Sequence, residues 1–240
     1  QWGITDANFA SDADIDVATA LILAARRWDR PDYLTLAQQK LADLWTYSTV
    51  VPADASLTRD PAASDPAVTT SAAPPRYLLP GPLAAFSDGA DTVYLNPSYF
   101  APYAFRLFAQ VDRDRDWLSL VDSSYAVLTD SADLSTPALP SNWVALNLVD
   151  NRYQPLPTDA LIQSIYGFDA YRVWWRVALD AAWFDAPEAR TYLAAHLPAL
   201  IDRWQQDRAI PAEIDLAGNP LADFESTAQY AMLYPGFAEI

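Results

Sequence analysis

The 240 residues contain no cysteine, one histidine and one lysine, and each scarcity removes a class of chemistry. Without Cys there are no disulfides and no thiolate metal sites, although the redox compartment stays open. His196 is the single histidine, so a histidine metal cluster or a Ser-His-Asp triad has little support, and His196 is expected on a helix face. Lys40 is the single lysine, and 15 basic against 31 acidic residues leave a formal charge of −16, which repels a phosphate backbone. Nucleic acid is excluded as a partner on this ground. No uninterrupted apolar run approaches the roughly 20 residues a membrane-spanning helix needs. Glutamate is scarce too: Glu188, Glu213, Glu225 and Glu239 stand alone among acids that are otherwise aspartate. No charged stretch followed by an apolar one opens the chain, so Gln1 is expected to follow a processed or omitted leader.

What is present reads as one globular domain over residues 1–240, with 52% hydrophobic and 19% charged residues. Residues 14–28 are apolar on nearly every side, as in an inner helix covered all round, whereas 31–45 carry Leu34, Leu41 and Leu44 between polar positions, as in an outer helix with one wet face. Residues 54–75 are rich in Ala, Ser, Thr, Asp and Pro without periodicity and predict a long irregular connection. The alternation resumes with 102–111 and 114–128, then 169–184 and 187–204, with a further helix over 224–233. Pro102 and Pro187 suit a first helical turn, where a missing N–H costs little. Strand-like alternation is scarce, so the fold reads as all-α, and repeated inner and outer pairs favour an α/α barrel or toroid over a compact bundle.

The run Ala10-Ser11-Asp12-Ala13-Asp14-Ile15-Asp16-Val17-Ala18, continuing through Ala20-Leu21-Ile22 to Ala24 and Trp28, has an ordinary reading as a capped helix start, with Ser11 or Asp12 as the cap. It also resembles the signature of glycoside hydrolase family 8, whose fold is an (α/α)6 barrel. Val17 departs from the family's Ile or Met, a small change expected on a buried face. The resemblance implies that Asp12 contacts the sugar at the cleavage point. Leu78-Leu79-Pro80-Gly81-Pro82 and Leu95-Asn96-Pro97-Ser98-Tyr99-Phe100 are similar to elements of the family's cellulases of bacterial cellulose synthesis. Leu139-Pro140-Ser141-Asn142-Trp143-Val144 resembles their Pro-Asp-Trp stretch, with Asn142 in place of Asp. Residues 210–215 and 224–235 are similar to the later helices.

Gly167-Phe168-Asp169-Ala170-Tyr171-Arg172-Val173 is similar to the family's Tyr-Asp-Ala-x-Arg segment, which implies that Asp169 is the general base. A carboxylate at the start of an inner helix with Arg172 at i+3 also fits a capping aspartate and its structural partner. Phe168 replaces the usual tyrosine. Sugar rings stack on exposed aromatics, so Tyr99, Trp143, Trp174 and Trp175 are candidates to line a glucan cleft, with Asn96 and Tyr99 favoured by their motif. Trp28 and Trp45 are expected to pack internally.

The resemblance implies an inverting endo-β-1,4-glucanase without a cofactor. In the family the acid is a glutamate upstream of the first aspartate signature, yet no glutamate precedes Asp12 here. The chain is therefore expected to lack its acid segment and further material at the C-terminus, with the acid outside it and a second chain as one alternative carrier. Xylan, chitosan or mixed-linkage glucan remain alternative substrates. A noncatalytic glycan-binding toroid or a structural helical-repeat protein are alternative classes. A polysaccharide substrate implies a secreted or periplasmic location. Asp112-Arg113-Asp114-Arg115-Asp116 imitates the start of a calcium loop, but Trp117 and Ser123 stand where glycine and glutamate belong, so no metal is expected.

Overall fold

The computed structural model describes residues 8–52, 74–89, 91–157 and 159–240. Its frame is a series of helical hairpins: α1 (Ser11–Trp28) with α2 (Pro31–Tyr47), α3 (Pro102–Ala109) with α4 (Trp117–Ala132), and α5 (Tyr171–Phe184) with α6 (Pro187–His196). Two further helices follow, α7 (Pro198–Asp207) and α8 (Thr227–Ala238). α3 packs between α1 and α5, and α8 packs on the other flank of α5, so α1, α3, α5 and α8 form an inner arc. α2, α4 and α6 lie outside it, each against its hairpin partner. One core gathers α1 to α4 around Phe105, Phe108 and Trp117; a second gathers α5, α6 and α8 around Trp174, Tyr171 and Leu193.

The sequence periodicity explains most of these elements and misleads at two places. Ile15, Ala18, Ile22 and Ala25 recur at helical spacing and form the buried face of α1. Its other face is open: Val17 is 47% and Trp28 66% exposed, so α1 is not covered all round, and neither residue is the packing position expected of it. Trp45, in contrast, is half-buried and meets Trp117 edge-on against the core. The expected helix over 187–204 is two helices, because Pro198 has no N–H to donate and its ring crowds the preceding turn; α6 ends at His196 and α7 starts at Pro198. Most of the 54–75 connection lies outside the described residues.

The strands were not anticipated. β1 (Thr49–Val50) pairs antiparallel with β2 (Tyr77–Leu78), and β3 (Ser87–Asp88), β4 (Thr92–Leu95), β5 (Val144–Asn147) and β6 (Arg152–Gln154) form an antiparallel sheet in that order. Each is too short for alternation to stand out. The β4–β5 register ends with Leu95 opposite Val144, which delivers the neighbouring Asn96 and Trp143 side by side at the sheet's edge. Residues 210–215, likened to a later helix, are not helical, and Ile214 bridges Tyr166.

Candidate active site

The start of α1 is fixed by an unusual anchor. The buried Ser11 donates its backbone N–H to Pro80 O (3.0 Å) and its hydroxyl to Leu79 O (2.7 Å), while the Leu79 N–H donates to Ser48 O (2.7 Å). The first signature and the Leu-Leu-Pro-Gly element therefore touch, which gives a physical reason for their joint occurrence. Gly81 is required there: a Cβ would stand 2.8 Å from the Phe9 carbonyl oxygen and 2.7 Å from the Phe86 ring. The expected cap is not formed, because Ala10 holds the N-cap position without a side-chain bond. Asp12 lies inside the helix, with Oδ1 accepting the Ala13 N–H and Oδ2 turned towards α5.

Arg172 joins the two aspartates. Its Nη1 donates to Asp12 Oδ2 at 2.8 Å and its Nη2 to Asp169 Oδ1 at 2.6 Å, although Asp12 and Arg172 are 160 positions apart. The other Asp169 oxygen, Oδ2, accepts from Asn96 Nδ2 at 3.2 Å. Asp169 precedes α5 rather than beginning it, in a turn where the Arg172 N–H meets the Asp169 carbonyl at 3.1 Å. Asn142 braces that turn by accepting the Ala170 N–H (2.9 Å), and a Cβ on Gly167 would come within 3.0 Å of the Asn142 amide. The Asp169 side chain is 37% exposed and open to water, whereas that of Asp12 is more enclosed.

An aromatic wall flanks this cluster. The Arg172 guanidinium lies 5.2 Å from the Tyr99 ring centre, Tyr99 tilts against Trp143, and Trp143 stacks on Phe86 at 5.7 Å and 4°. Burial raises the Tyr99 hydroxyl pKa, with the Asp12 charge adding to the effect. Asp12, Asn96, Tyr99, Trp143, Asp169 and Arg172 thus form one connected group. Trp174 does not belong to it: its ring is fully buried and its indole N–H reaches the Tyr166 hydroxyl. Trp175 packs on Tyr103 and under the Arg176 guanidinium. Phe86 and Asn142 went unrecognised as members; the first is signalled only by the motif glycine it presses against.

The remaining candidates resolve into structure. Asp112 accepts the Trp117 indole N–H (3.0 Å) and an Arg115 Nη1–H (2.9 Å), which commits its carboxylate to shaping the turn before α4. Among the described residues no group of three or more His, Cys, Asp or Glu could hold a metal. His196 is buried at the end of α6 with Nδ1 against Ala138 O (2.8 Å), and burial lowers its pKa. Glu188 pairs with Arg106, Glu225 meets the Tyr230 hydroxyl and Glu239 faces Arg190, all apart from Asp169.

An arc of inner and outer helices with joined carboxylates at inner-helix starts defines an α/α-barrel protein with an acidic, aromatic-walled site. The family model described as "Glycosyl hydrolases family 8" matches residues 67–235, and the chain belongs to that family. An endoglucanase from Pseudomonas fluorescens (strain SBW25) is 30% identical over 181 residues, covering 75% of this chain and 40% of the relative. The structure of endoglucanase Cel10, a family 8 glycosyl hydrolase from Klebsiella pneumoniae, is similar with a TM-score of 0.71 and 26% identity, over 99% of this chain and 66% of that one. An endo-1,4-D-glucanase from Vibrio fischeri ES114 shares the fold at a TM-score of 0.79 and 21% identity, over 100% and 61%. The fold is the (α/α)6 barrel, of which the chain supplies an arc. The chain spans 33% and 40% of two curated relatives that it matches.

Proposed function

We propose that the protein is an inverting endo-β-1,4-glucanase that takes cellulose-like glucan, with Asp169 as the general base. The observation that carries this reading is the bridging of Asp12 and Asp169 by Arg172 at 2.8 and 2.6 Å. Family membership and the endoglucanase names of its relatives support the substrate class. Inversion requires a carboxylate to take a proton from water on the face opposite the departing oxygen, with the acid roughly 6.5–9.5 Å away. Asp169 suits the first task. Each of its oxygens holds one donor, Arg172 or Asn96, which fixes the carboxylate plane and leaves a lone pair on each for a water. Asp12, tied to the same guanidinium, is placed to accept a sugar hydroxyl, and the Tyr99–Trp143–Phe86 wall offers ring faces for stacking. Work on an extended polysaccharide fits a secreted or periplasmic location.

A noncatalytic glycan-binding toroid is favoured by one observation: three of the four glutamates, Glu188, Glu225 and Glu239, are engaged with partners elsewhere, so none of these three stands across from Asp169 to protonate a departing oxygen. The complete gene product, assayed on cellulose oligomers, xylan, chitosan and mixed-linkage glucan, separates these readings. Internal cleavage of the β-1,4-glucan is expected. Preference for xylan or chitosan would contradict the substrate, and binding without cleavage would favour the noncatalytic protein.

A further inference from the structure

One helical turn beyond the Asp12–Arg172 pair, a second pair repeats it. Arg176 donates Nη1 to Asp16 Oδ1 (3.0 Å) and Nη2 to Asp16 Oδ2 (3.1 Å), again across 160 positions. The first pair leaves Arg172 shared between two carboxylates; the second is a two-pronged fork to one, the stronger and more directional arrangement. The Arg176 side chain is 1% exposed, enclosed by the Tyr103 hydroxyl at 3.3 Å and the Trp175 ring at 4.7 Å. Its Nε has no hydrogen-bond partner among the described residues. A cation so shielded from water needs its counter-charge, so Asp16 is its main support although half exposed itself.

The backbones of α1 and α5 share few close approaches, because α3 is wedged against both. Long arginine side chains span the gap. The Ser11 anchor holds the start of α1 on residues 79–80; against α5, two pairs set about 5–6 Å apart along each helix restrict rotation and translation more than one pair would. A slip of one turn, about 5.4 Å, would break both native pairs and re-form only one mismatched pair, leaving the other arginine without its carboxylate.

We propose that Asp16 and Arg176 are positioning residues for the candidate active site: their pair locks α1 on α5 in the register that delivers Asp12 to Arg172, and so holds Arg172 against Asp169. Neither residue touches the reacting atoms. The inference rests on the reading of Asp169 only for its functional meaning, since the register itself is observable without substrate.

The test reads the Arg172 guanidinium by nitrogen-15 NMR on the 240-residue chain, its signals assigned by their loss in Arg172→Lys. In the native chain both Nη groups are held by carboxylates, so separate, slowly rotating Nη–H signals are expected. In Asp16→Asn with Arg176→Met, an apolar side chain of similar length fills the buried site, and fold and melting temperature are expected to hold, because replacing a buried ion pair by apolar groups is often neutral. Rotation of Arg172 should then quicken by about tenfold or more, the factor expected for one lost hydrogen bond to a charged group. Asp16→Glu with Arg176 intact, which keeps the carboxylate and its partner, should retain slow rotation. A folded double variant with unchanged Arg172 signals would overturn the proposal; should that variant not fold, Asp16→Asn alone is read in the same way. Failure here is separable from failure of the proposed function, which is judged from the turnover of Asp169→Asn.

Discussion

Asn96 donates an amide hydrogen to the Asp169 carboxylate at 3.2 Å across 73 positions of sequence. The orientation of that amide is not free. Its oxygen already accepts the Ser98 N–H (3.0 Å) and the Ser98 hydroxyl (2.6 Å), so the nitrogen must face Asp169. A hydrogen bond to a charged group is worth about 1.5–3 kcal/mol. Asn96→Ala is therefore expected to lower kcat roughly 10- to 100-fold with a smaller change in KM, measured as reducing-end release. An equal loss in both variants, Asn96→Ala and Ser98→Ala, would show that the orientation set by Ser98 matters as much as the contact.

Gly81→Ala tests the anchor under α1. The Phe86 ring could swing away from a new methyl, but the Phe9 carbonyl is backbone and cannot, so overpacking of about 1–3 kcal/mol is expected as a lowered melting temperature. Phe86 stacks on Trp143, and the same variant should change tryptophan fluorescence and weaken glucan binding. Unchanged binding in a destabilised variant would detach the Phe86–Trp143 stack from the site.

Deep between the hairpins, the fully buried Asp180 accepts from Arg106 Nε (2.9 Å) and from the Tyr125 hydroxyl (2.7 Å). Burial pushes the Asp180 carboxyl above its ordinary range, while Tyr125 and Arg106 pull it down. A raised value in the folded state gives stability that is full below the ordinary aspartate range and is lost as pH climbs through the folded value. Tyr125→Phe removes one opposing donor and raises Asp180 further. The variant should lose about 1.5–3 kcal/mol at neutral pH and markedly less near pH ~4, read from denaturant melts across that window. A loss independent of pH would mean that the hydroxyl contributes by packing alone.

The helices were legible because Ile15, Ala18 and Ile22 or Val173, Trp174 and Val177 repeat at a period that only a helix buries on one face. How many neighbours a helix has is not written in its own residues, so Val17 and Trp28 read as buried and are not. The motif residues Asp12, Asn96, Tyr99, Trp143, Asp169 and Arg172 were legible as candidates, and their side chains are connected in the fold. The caps were misread, since the Ser11 hydroxyl goes to a carbonyl 68 positions away, a partner that local sequence does not reveal. Asp16 and Arg176 were overlooked, although each lies one turn beyond a residue already singled out and the paired spacing was there to be noticed. Phe86 has no motif of its own, and it joins the candidate site only through its stack on Trp143, a contact that local sequence does not reveal.

The central claim is that Asp169 activates the water in an inverting hydrolysis. Time-resolved proton NMR of cellopentaose cleavage by the complete gene product and its Asp169→Asn variant tests it most directly, because the anomer formed first records the face from which water attacks. The α-anomer should appear first with the native protein, and the variant should bind the oligosaccharide with similar affinity yet turn over about 10²- to 10⁴-fold more slowly, the usual contribution of a general base. A β-anomer formed first, or native turnover in Asp169→Asn, would contradict the account.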